Sequence, residues 1–398
     1  MARTPVKSNA RSHGFTGSAV ALVWASAFLA LAFLGVRFMS PTTTAEAVSQ
    51  GTLRGIQTAQ GPLLVYTVLE GERSGIWVAP ATNLRQARRL ALVDHREGYG
   101  LKASLSPTGK RLAYLVLPPG AVDPFSQAVL WTFNLETNSA HRLMEGLDLL
   151  SAPVWSPDER HIVVRRSGTD EQHPGYTLLD VDPEQGTMQT LVNDDAALGL
   201  YPVGWADQPT AFYYARLTQQ GTEVRSVSGQ TPRDDHVSSV SDGIARDFRL
   251  SPQRDRLLYG EYASGSVATY QVHSLDLASG ETASMAGNTG ALVGPVWRPD
   301  GAHITLGAVP VPGRLQGEVS TMGLEGNRQV EGQVVAPAGS FLAPLAWSGA
   351  GAFLAARQFY GDSMTSVTGE RLVVVSTATG VTLPIQAQGF AEFVGWQP

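Results

Sequence analysis

One pattern recurs along the chain at intervals of 45 to 50 residues. Each copy has a short apolar strand that ends in a large side chain, then a turn, then a second apolar strand. The large side chains, called anchors here, are Leu105, Trp155, Trp205, Leu250, Trp297, Trp347 and Trp396. A fixed period of this length is typical of arrays in which each unit buries its apolar surface against its neighbours. We therefore expect seven copies of one structural unit.

Each unit has the sequence of a four-stranded sheet. In the turn that begins at Ser106, Pro107 presets φ at the second position and Gly109 accepts a positive φ at the fourth. Further along each repeat, an apolar strand, a polar turn and a final strand form an outer hairpin, as in residues 130–144, 176–192 and 272–285. Four short strands per repeat predict the blade of a β-propeller.

The two ends of the repeat region are complementary. Residues 63–94 contain three strands with no anchor strand before them, whereas residues 389–398 contain an anchor strand with nothing after it. Completing the first blade with the last strand would remove a free sheet edge. The sequence therefore predicts an all-β fold over residues 61–398, a seven-bladed β-propeller closed by its C-terminal strand.

The N-terminal region predicts a membrane segment. Residues 14–36 contain no charged side chain, and 23 helical residues span about 34 Å, enough to cross a bilayer core of about 30 Å. Three basic residues precede this stretch and Arg37 follows it, which predicts a cytoplasmic N-terminus. The predicted division is a cytoplasmic tail (1–14), a transmembrane signal-anchor helix (15–38) and a flexible tether (39–60). The alternative is a signal peptide cleaved after Ala47, and both place the propeller outside the cell membrane.

The turn sequence resembles a known repeat. Ser156-Pro157-Asp158 after Trp155, and Pro299-Asp300-Gly301 after Trp297, are each followed by an apolar strand. This arrangement resembles the repeat of TolB-type (WD40-like) periplasmic propellers, which also occurs in the propeller domains of prolyl-oligopeptidase-like proteins. The resemblance covers roughly residues 61–398 and implies an exported propeller. The sequence has seven anchors and no room for a separate N-terminal α/β domain. The resemblance is therefore to the repeat, and not to TolB itself.

Sequence motifs of catalysis are absent. The chain has no cysteine, no G-x-S-x-G elbow, no H-E-x-x-H and no phosphate-binding glycine loop. We therefore predict no catalytic residues, no cofactor and no metal. Beyond residue 40 there are 25 basic and 35 acidic residues, and a net charge of −10 disfavours nucleic acid as a partner.

Loops between blades, and loops that join second and third strands, are where a propeller usually binds. The clusters that we place between blades contain Asp94, His95, Asp194, Asp195, Asp234, Asp235 and His236. Those that we place within blades contain Asp123, Phe125, Asp170, His173, Tyr360 and Asp362. The polar members are equally compatible with ordinary surface loops, and the two aromatic side chains with packing under their own loops.

The expected function is that of a non-enzymatic, membrane-anchored module of the bacterial envelope. It would lie outside the cytoplasm and bind an envelope protein, a peptide or a glycan. The alternative is a propeller hydrolase or lyase that acts on an envelope polymer, with carboxylates or a divalent cation near the central channel.

Overall fold

The computed structural model describes residues 61–168, 175–207, 210–228, 234–263, 269–285, 292–308, 318–323, 329–361 and 366–397. These residues form β-strands and one short 3-10 helix, Leu84–Gln86. The strands of the first half are β1 (Leu63–Glu70), β2 (Arg73–Pro80), β3 (Arg88–Asp94), β4 (Lys102–Leu105), β5 (Arg111–Val116), β6 (Ala128–Asn134), β7 (Ser139–Leu147), β8 (Val154–Trp155), β9 (Ile162–Ser167), β10 (Tyr176–Val181), β11 (Met188–Asp194), β12 (Gly199–Trp205), β13 (Ala211–Thr218) and β14 (Gly221–Ser228).

The strands of the second half are β15 (Asp234–Ser241), β16 (Ala245–Leu250), β17 (Arg256–Ala263), β18 (Thr269–Asp276), β19 (Thr282–Ser284), β20 (Leu292–Trp297), β21 (His303–Ala308), β22 (Glu318–Gly323), β23 (Gln329–Val335), β24 (Ser340–Trp347), β25 (Phe353–Tyr360), β26 (Gly369–Ser376), β27 (Thr382–Pro384) and β28 (Phe390–Gln397).

The strands form seven antiparallel sheets of four, called blades here. Blades 2 to 7 each use four consecutive strands, beginning with β4 and ending with β27. Blade 1 combines β1, β2 and β3 with β28, which pairs with β1 from Leu63–Gln397 to Leu69–Phe390. The inner strands are β28, β4, β8, β12, β16, β20 and β24, and each contacts the inner strand of the next blade. The sheets therefore close into a β-propeller ring.

The fold class expected from the sequence needs a correction. It combined a propeller with an N-terminal transmembrane helix, but no helix in the described ranges has the length and apolarity that a membrane span requires. The predicted combination of a propeller with a transmembrane helix is therefore wrong for this structure, because the described residues form an all-β propeller. The predicted tail (1–14), transmembrane helix (15–38) and tether (39–60) lie outside the described residues.

The anchor tryptophans connect neighbouring blades. The indole Nε1 of Trp155 donates to the Ser104 carbonyl at 3.3 Å, and that of Trp297 donates to the Arg249 carbonyl at 2.8 Å. Trp396 of β28 donates likewise to the Ala346 carbonyl at 3.1 Å. Each accepting residue directly precedes the anchor of the preceding blade, so the same contact occurs at three junctions of the ring. Trp347 donates instead to the hydroxyl of Thr305, at 3.0 Å.

Burial contributes more than the hydrogen bond at these positions. Trp155, Trp205 and Trp297 are all buried. Removing an indole from water is worth about 4–6 kcal/mol, at about 25 cal/mol per Å², whereas a hydrogen bond adds about 1 kcal/mol. The indole therefore fills the space between two blades, and its hydrogen bond fixes the orientation of the ring.

Two inner strands carry a glycine where a leucine of the next blade lies close to the backbone. A Cβ atom on Gly204 would lie 2.4 Å from Leu250 Cδ1, and one on Gly395 would lie 2.9 Å from Leu105 Cβ. Both glycines directly precede an anchor, and both face one of the two leucine anchors. A side chain at Gly395 would press on the Cβ atom of Leu105, whereas one at Gly204 would meet the end of the Leu250 side chain.

The closure of blade 1 makes a stability prediction. Deleting residues 389–398 removes β28, so that β1 loses its partner and blade 7 loses the Trp396 contact. We expect the midpoint of thermal unfolding to fall by more than about 10 °C, measured by circular dichroism. Trp396→Phe keeps the strand and removes the Ala346 hydrogen bond, and should lower the midpoint by only about 2–4 °C. Equal midpoints for the truncated and full-length proteins would contradict this account of closure.

Candidate functional site

The antiparallel strand order gives the ring two different faces. Connections from an outer strand to the next inner strand, and from the second to the third strand of a blade, lie on one face, called the loop face here. The other connections, including the Ser-Pro turns, lie on the opposite face, called the turn face. The described chain begins and ends at the turn face, where Leu63 pairs with Gln397.

The structure separates the candidates predicted from the sequence. Asp94, His95, Asp123, Phe125, Asp194, Asp195 and Tyr360 belong to the loop face. Asp234, Asp235 and His236 do not, because they begin the outer strand β15 opposite the end of β14. Their predicted position between two blades is therefore wrong, and they lie near the turn face. Asp170, His173 and Asp362 lie outside the described residues.

His95 forms a buried pair with Ser74. Its Nε2 lies 2.9 Å from Ser74 Oγ, and its Nδ1 lies 2.8 Å from the Arg96 carbonyl. A carbonyl only accepts, so Nδ1 carries the hydrogen and Nε2 accepts from the serine hydroxyl. This resembles the arrangement of a catalytic serine and histidine, but both side chains are about 1% exposed, and no substrate can reach the hydroxyl. The pair connects β2 to the loop that follows β3.

Carboxylates of blades 3 and 4 are held in a ladder of ion pairs. Asp194 contacts Arg216, which contacts Glu223 at 3.4 Å, and Glu223 contacts Arg225 at 2.9 Å. Arg225 in turn contacts Asp234 at 2.9 Å. The ladder thus runs from the loop face to the turn face.

The ladder keeps Asp194 ionised. Partial burial of Asp194 acts to raise its pKa, but the hydrogen bond from Arg216 and further donors outweigh it and lower the pKa. At the other end, the Tyr214 hydroxyl donates to Asp234 at 2.7 Å. These two carboxylates therefore have structural partners and are poor candidates for binding an external cation.

Carboxylates near the channel are few and far apart. Among the inner strands, only β28 and β16 carry them, as Glu392 and Asp247. Glu392 pairs with Lys102 of β4 at 3.1 Å, across the junction of blades 1 and 2. Asp247 belongs to blade 5, which is not a neighbour of blade 1. Within the described ranges, no group of three or more His, Asp or Glu side chains could hold a metal ion.

Exposed apolar side chains concentrate on one sector of the loop face. Among the described residues, eight large apolar side chains are exposed, and five of them lie on the loop face of blades 2 to 4. These five, called the apolar cluster here, are Val122, Phe125, Leu150, Leu198 and Tyr201. Val122 is 74% exposed and Leu150 is 53% exposed. The other three, Leu92, Met188 and Val381, lie in or beside the outer strands of three different blades.

The loop that presents Val122 and Phe125 is fixed by its own hydrogen bonds. Gln127 Oε1 accepts from the backbone N–H groups of Val122 at 2.7 Å and of Asp123 at 2.9 Å. Asp123 accepts from the backbone N–H of Phe125 at 2.9 Å and from the Ser126 hydroxyl. Asp123 therefore orients Phe125 toward solvent, as expected of an Asx turn, rather than binding a ligand itself.

A buried ion pair joins this loop to blades 3 and 4. Asp148 Oδ2 accepts from Arg165 Nε at 2.9 Å, from Arg165 Nη2 at 2.7 Å and from Ser167 Oγ at 2.6 Å. Its Oδ1 accepts from the Leu150 backbone N–H at 2.7 Å, while the neighbouring Leu149 N–H donates to the Pro124 carbonyl at 2.9 Å. One carboxylate therefore sets the positions of two loops of the apolar cluster.

Arg165 extends the same scaffold into blade 4. Its Nη1 donates to the Leu200 carbonyl at 2.8 Å, and its guanidinium lies 5.5 Å from the ring of Tyr201 and 5.2 Å from that of Tyr176. Cation–π contacts of a buried arginine fix the orientation of an aromatic ring. Contact with the guanidinium of Arg165 thus fixes the ring of Tyr201, while one side of the ring remains exposed.

Sequence reasoning identified Phe125 but missed the other four members of the cluster. Val122, Leu150, Leu198 and Tyr201 stand in short apolar runs that read as strand ends. The available signal was the position of Leu150, Leu198 and Tyr201 at the junctions between repeats, and of Val122 beside the turn residues of a connection within a blade. Tyr360, the other aromatic candidate, is half-buried with the guanidinium of Arg371 5.2 Å from its ring.

No known family model matches the chain, and no curated protein sequence matches it. Solved structures that it is similar to include TolB from Acinetobacter baumannii, with 16% identity over 69% of this chain and a TM-score of 0.49. They also include a prolyl endopeptidase, with 14% identity over 84% of this chain and a TM-score of 0.58. A third is oligogalacturonate lyase from Vibrio parahaemolyticus, with 13% identity, coverage of 82% of this chain and 86% of the lyase, and a TM-score of 0.53.

The chain covers 64% of that TolB and 49% of the prolyl endopeptidase, which is less than two thirds of either. At these identities the likeness defines the fold alone. The chain is a β-propeller protein, and TolB-type propellers are among the structures that it is similar to.

The Asp148–Arg165 pair makes a prediction about stability. Arg165→Met leaves a buried carboxylate without its cation, and we expect the free energy of unfolding to fall by about 3–5 kcal/mol, measured by urea denaturation. Arg166→Met is the matched control, since Arg166 is half-buried and donates one hydrogen bond, to the Gly146 carbonyl. It should lower the free energy of unfolding by about 1 kcal/mol. Equal losses in the two variants would show that the ion pair does not hold these loops.

Proposed function

We propose that this chain is a non-enzymatic binding module that recognises a protein or peptide of the bacterial envelope through the apolar cluster. The observation that carries the proposal is the concentration of exposed Val122, Phe125, Leu150, Leu198 and Tyr201 on one sector of one face. A soluble protein seldom exposes several large apolar side chains together unless they meet a partner. The loops of the cluster are fixed by hydrogen bonds, so binding would require little ordering.

Three of the polar candidates support this choice by their structural roles. Asp123 and Asp194 accept hydrogen bonds within the propeller, and His95 is buried. The alternative of a hydrolase or lyase would need cooperating carboxylates, and the two inner-strand carboxylates belong to blades 1 and 5. The uncharged stretch at residues 14–36 of the sequence supports export of the module from the cytoplasm.

Site-specific photocrosslinking tests the proposal in cells of the source organism. A photoreactive amino acid would replace Phe125, Leu150 or Leu198 in separate variants, with Leu92 and Met188 as controls of similar exposure outside the cluster. We expect one discrete crosslinked species from the three cluster positions and none from the two controls, detected by immunoblotting and identified by mass spectrometry. The same species from all five positions, or none from any, would contradict a binding site at the cluster.

A further inference from the structure

We infer that the segment bound at the apolar cluster is basic, with lysine or arginine side chains placed beside its apolar ones. This inference rests on the proposed function, because it names the chemistry of the partner at that same site. It is carried by the charges that surround the cluster on the loop face.

Exposed carboxylates flank the cluster on both sides. On the described loop-face connections of blades 1 to 4, the exposed acidic residues are Glu72, Asp94, Glu97, Asp195 and Asp242. Among the described residues, none of the five has an ion-pair partner, in contrast to Asp148 and Asp194. Arg73 is the exposed basic residue of the same connections. The surroundings of the cluster therefore carry an uncompensated negative charge.

Contacts on the loop face place two of these acids, Glu97 and Asp195, close to the cluster. Arg96, next to Glu97, donates from Nη1 to the Ala121 carbonyl at 2.6 Å, beside Val122. Its guanidinium also lies 5.5 Å from the Tyr99 ring, so it is directed into the loop rather than toward a partner. On the other side, Asp195 and Leu198 belong to one short connection between β11 and β12.

The apolar cluster, together with the five exposed acidic residues named above, called the acidic rim here, favours a particular partner. Burial of apolar side chains would supply affinity, while the rim would accelerate association with a basic segment and disfavour acidic ones. A second copy of this chain fits poorly, because a two-fold interface at the cluster would bring the acidic rims together.

Selection from a displayed library of random short peptides tests the inference, with the purified propeller as target. Two variants define the site: Leu150→Ser/Leu198→Ser in the cluster, and Asp94→Asn/Glu97→Gln in the rim. The matched control for the rim is Glu136→Gln/Glu281→Gln, which removes the same charge from exposed residues of the turn face.

Peptides whose binding depends on the cluster should be enriched in lysine and arginine beside apolar residues. Their affinity should fall about fivefold or more in the rim variant, and similarly when NaCl is raised from about 50 to about 500 mM, with little change in the turn-face control. Cluster-dependent peptides with no basic enrichment would overturn the basic partner and leave the binding site intact. An absence of cluster-dependent peptides would overturn both the inference and the proposed function. Binding of anionic lipid vesicles that depends on the cluster would show that the partner is a membrane surface and not a protein.

Discussion

The contact between each anchor side chain and the inner strand of the preceding blade is the constraint on which the propeller depends. A four-stranded sheet of this length has two apolar faces and cannot bury either one alone. The indoles of Trp155, Trp297 and Trp396 fill the spaces between blades and donate to the carbonyl just before the preceding anchor. Where the anchor is leucine, the facing residue is Gly204 or Gly395. The ring is closed by β28, which completes the blade that begins with β1.

Buried arginines form a second set of connections nearer the loop face. Arg165 and Arg357 stand nine residues after the first residue of their turns, Ser156 and Ser348. Arg165 donates to the Leu200 carbonyl at 2.8 Å, and Arg357 donates to the Ala391 carbonyl at 2.7 Å, in each case on the next inner strand. The two carbonyls precede their anchors by the same five residues. A buried cation is costly without a partner, so each site also provides a carboxylate, Asp148 at 2.7 Å or Glu370 at 3.7 Å.

The candidate site follows from this architecture. Because Asp148 and Arg165 hold loops of three blades, the apolar side chains of those loops are presented on a rigid support. The carboxylates that the structure uses internally, such as Asp123 and Asp194, differ from those that remain exposed, such as Asp94 and Glu97, in having donors within the propeller. A rigid apolar surface with an acidic rim is suited to recognition, and recognition by rigid loops is the usual role of a propeller face.

The sequence by itself determined the local units of this protein. Anchors, Ser-Pro turns and outer hairpins could be predicted because each depends on side-chain size, proline φ and alternation within a few residues. The prediction was wrong about Asp234, Asp235 and His236, because only the register of β15 against β14 decides which end of the blade they occupy. Phe125 could be proposed as exposed because it follows Asp123 and Pro124 in a turn-like segment. The tertiary structure alone decided that Val122, Leu150, Leu198 and Tyr201 accompany it, since their loops belong to three blades and meet only through contacts such as Arg165 with Leu200. Exposure of an apolar side chain depends on what packs against it from distant parts of the chain, and a sequence pattern with a range of a few residues does not contain that information.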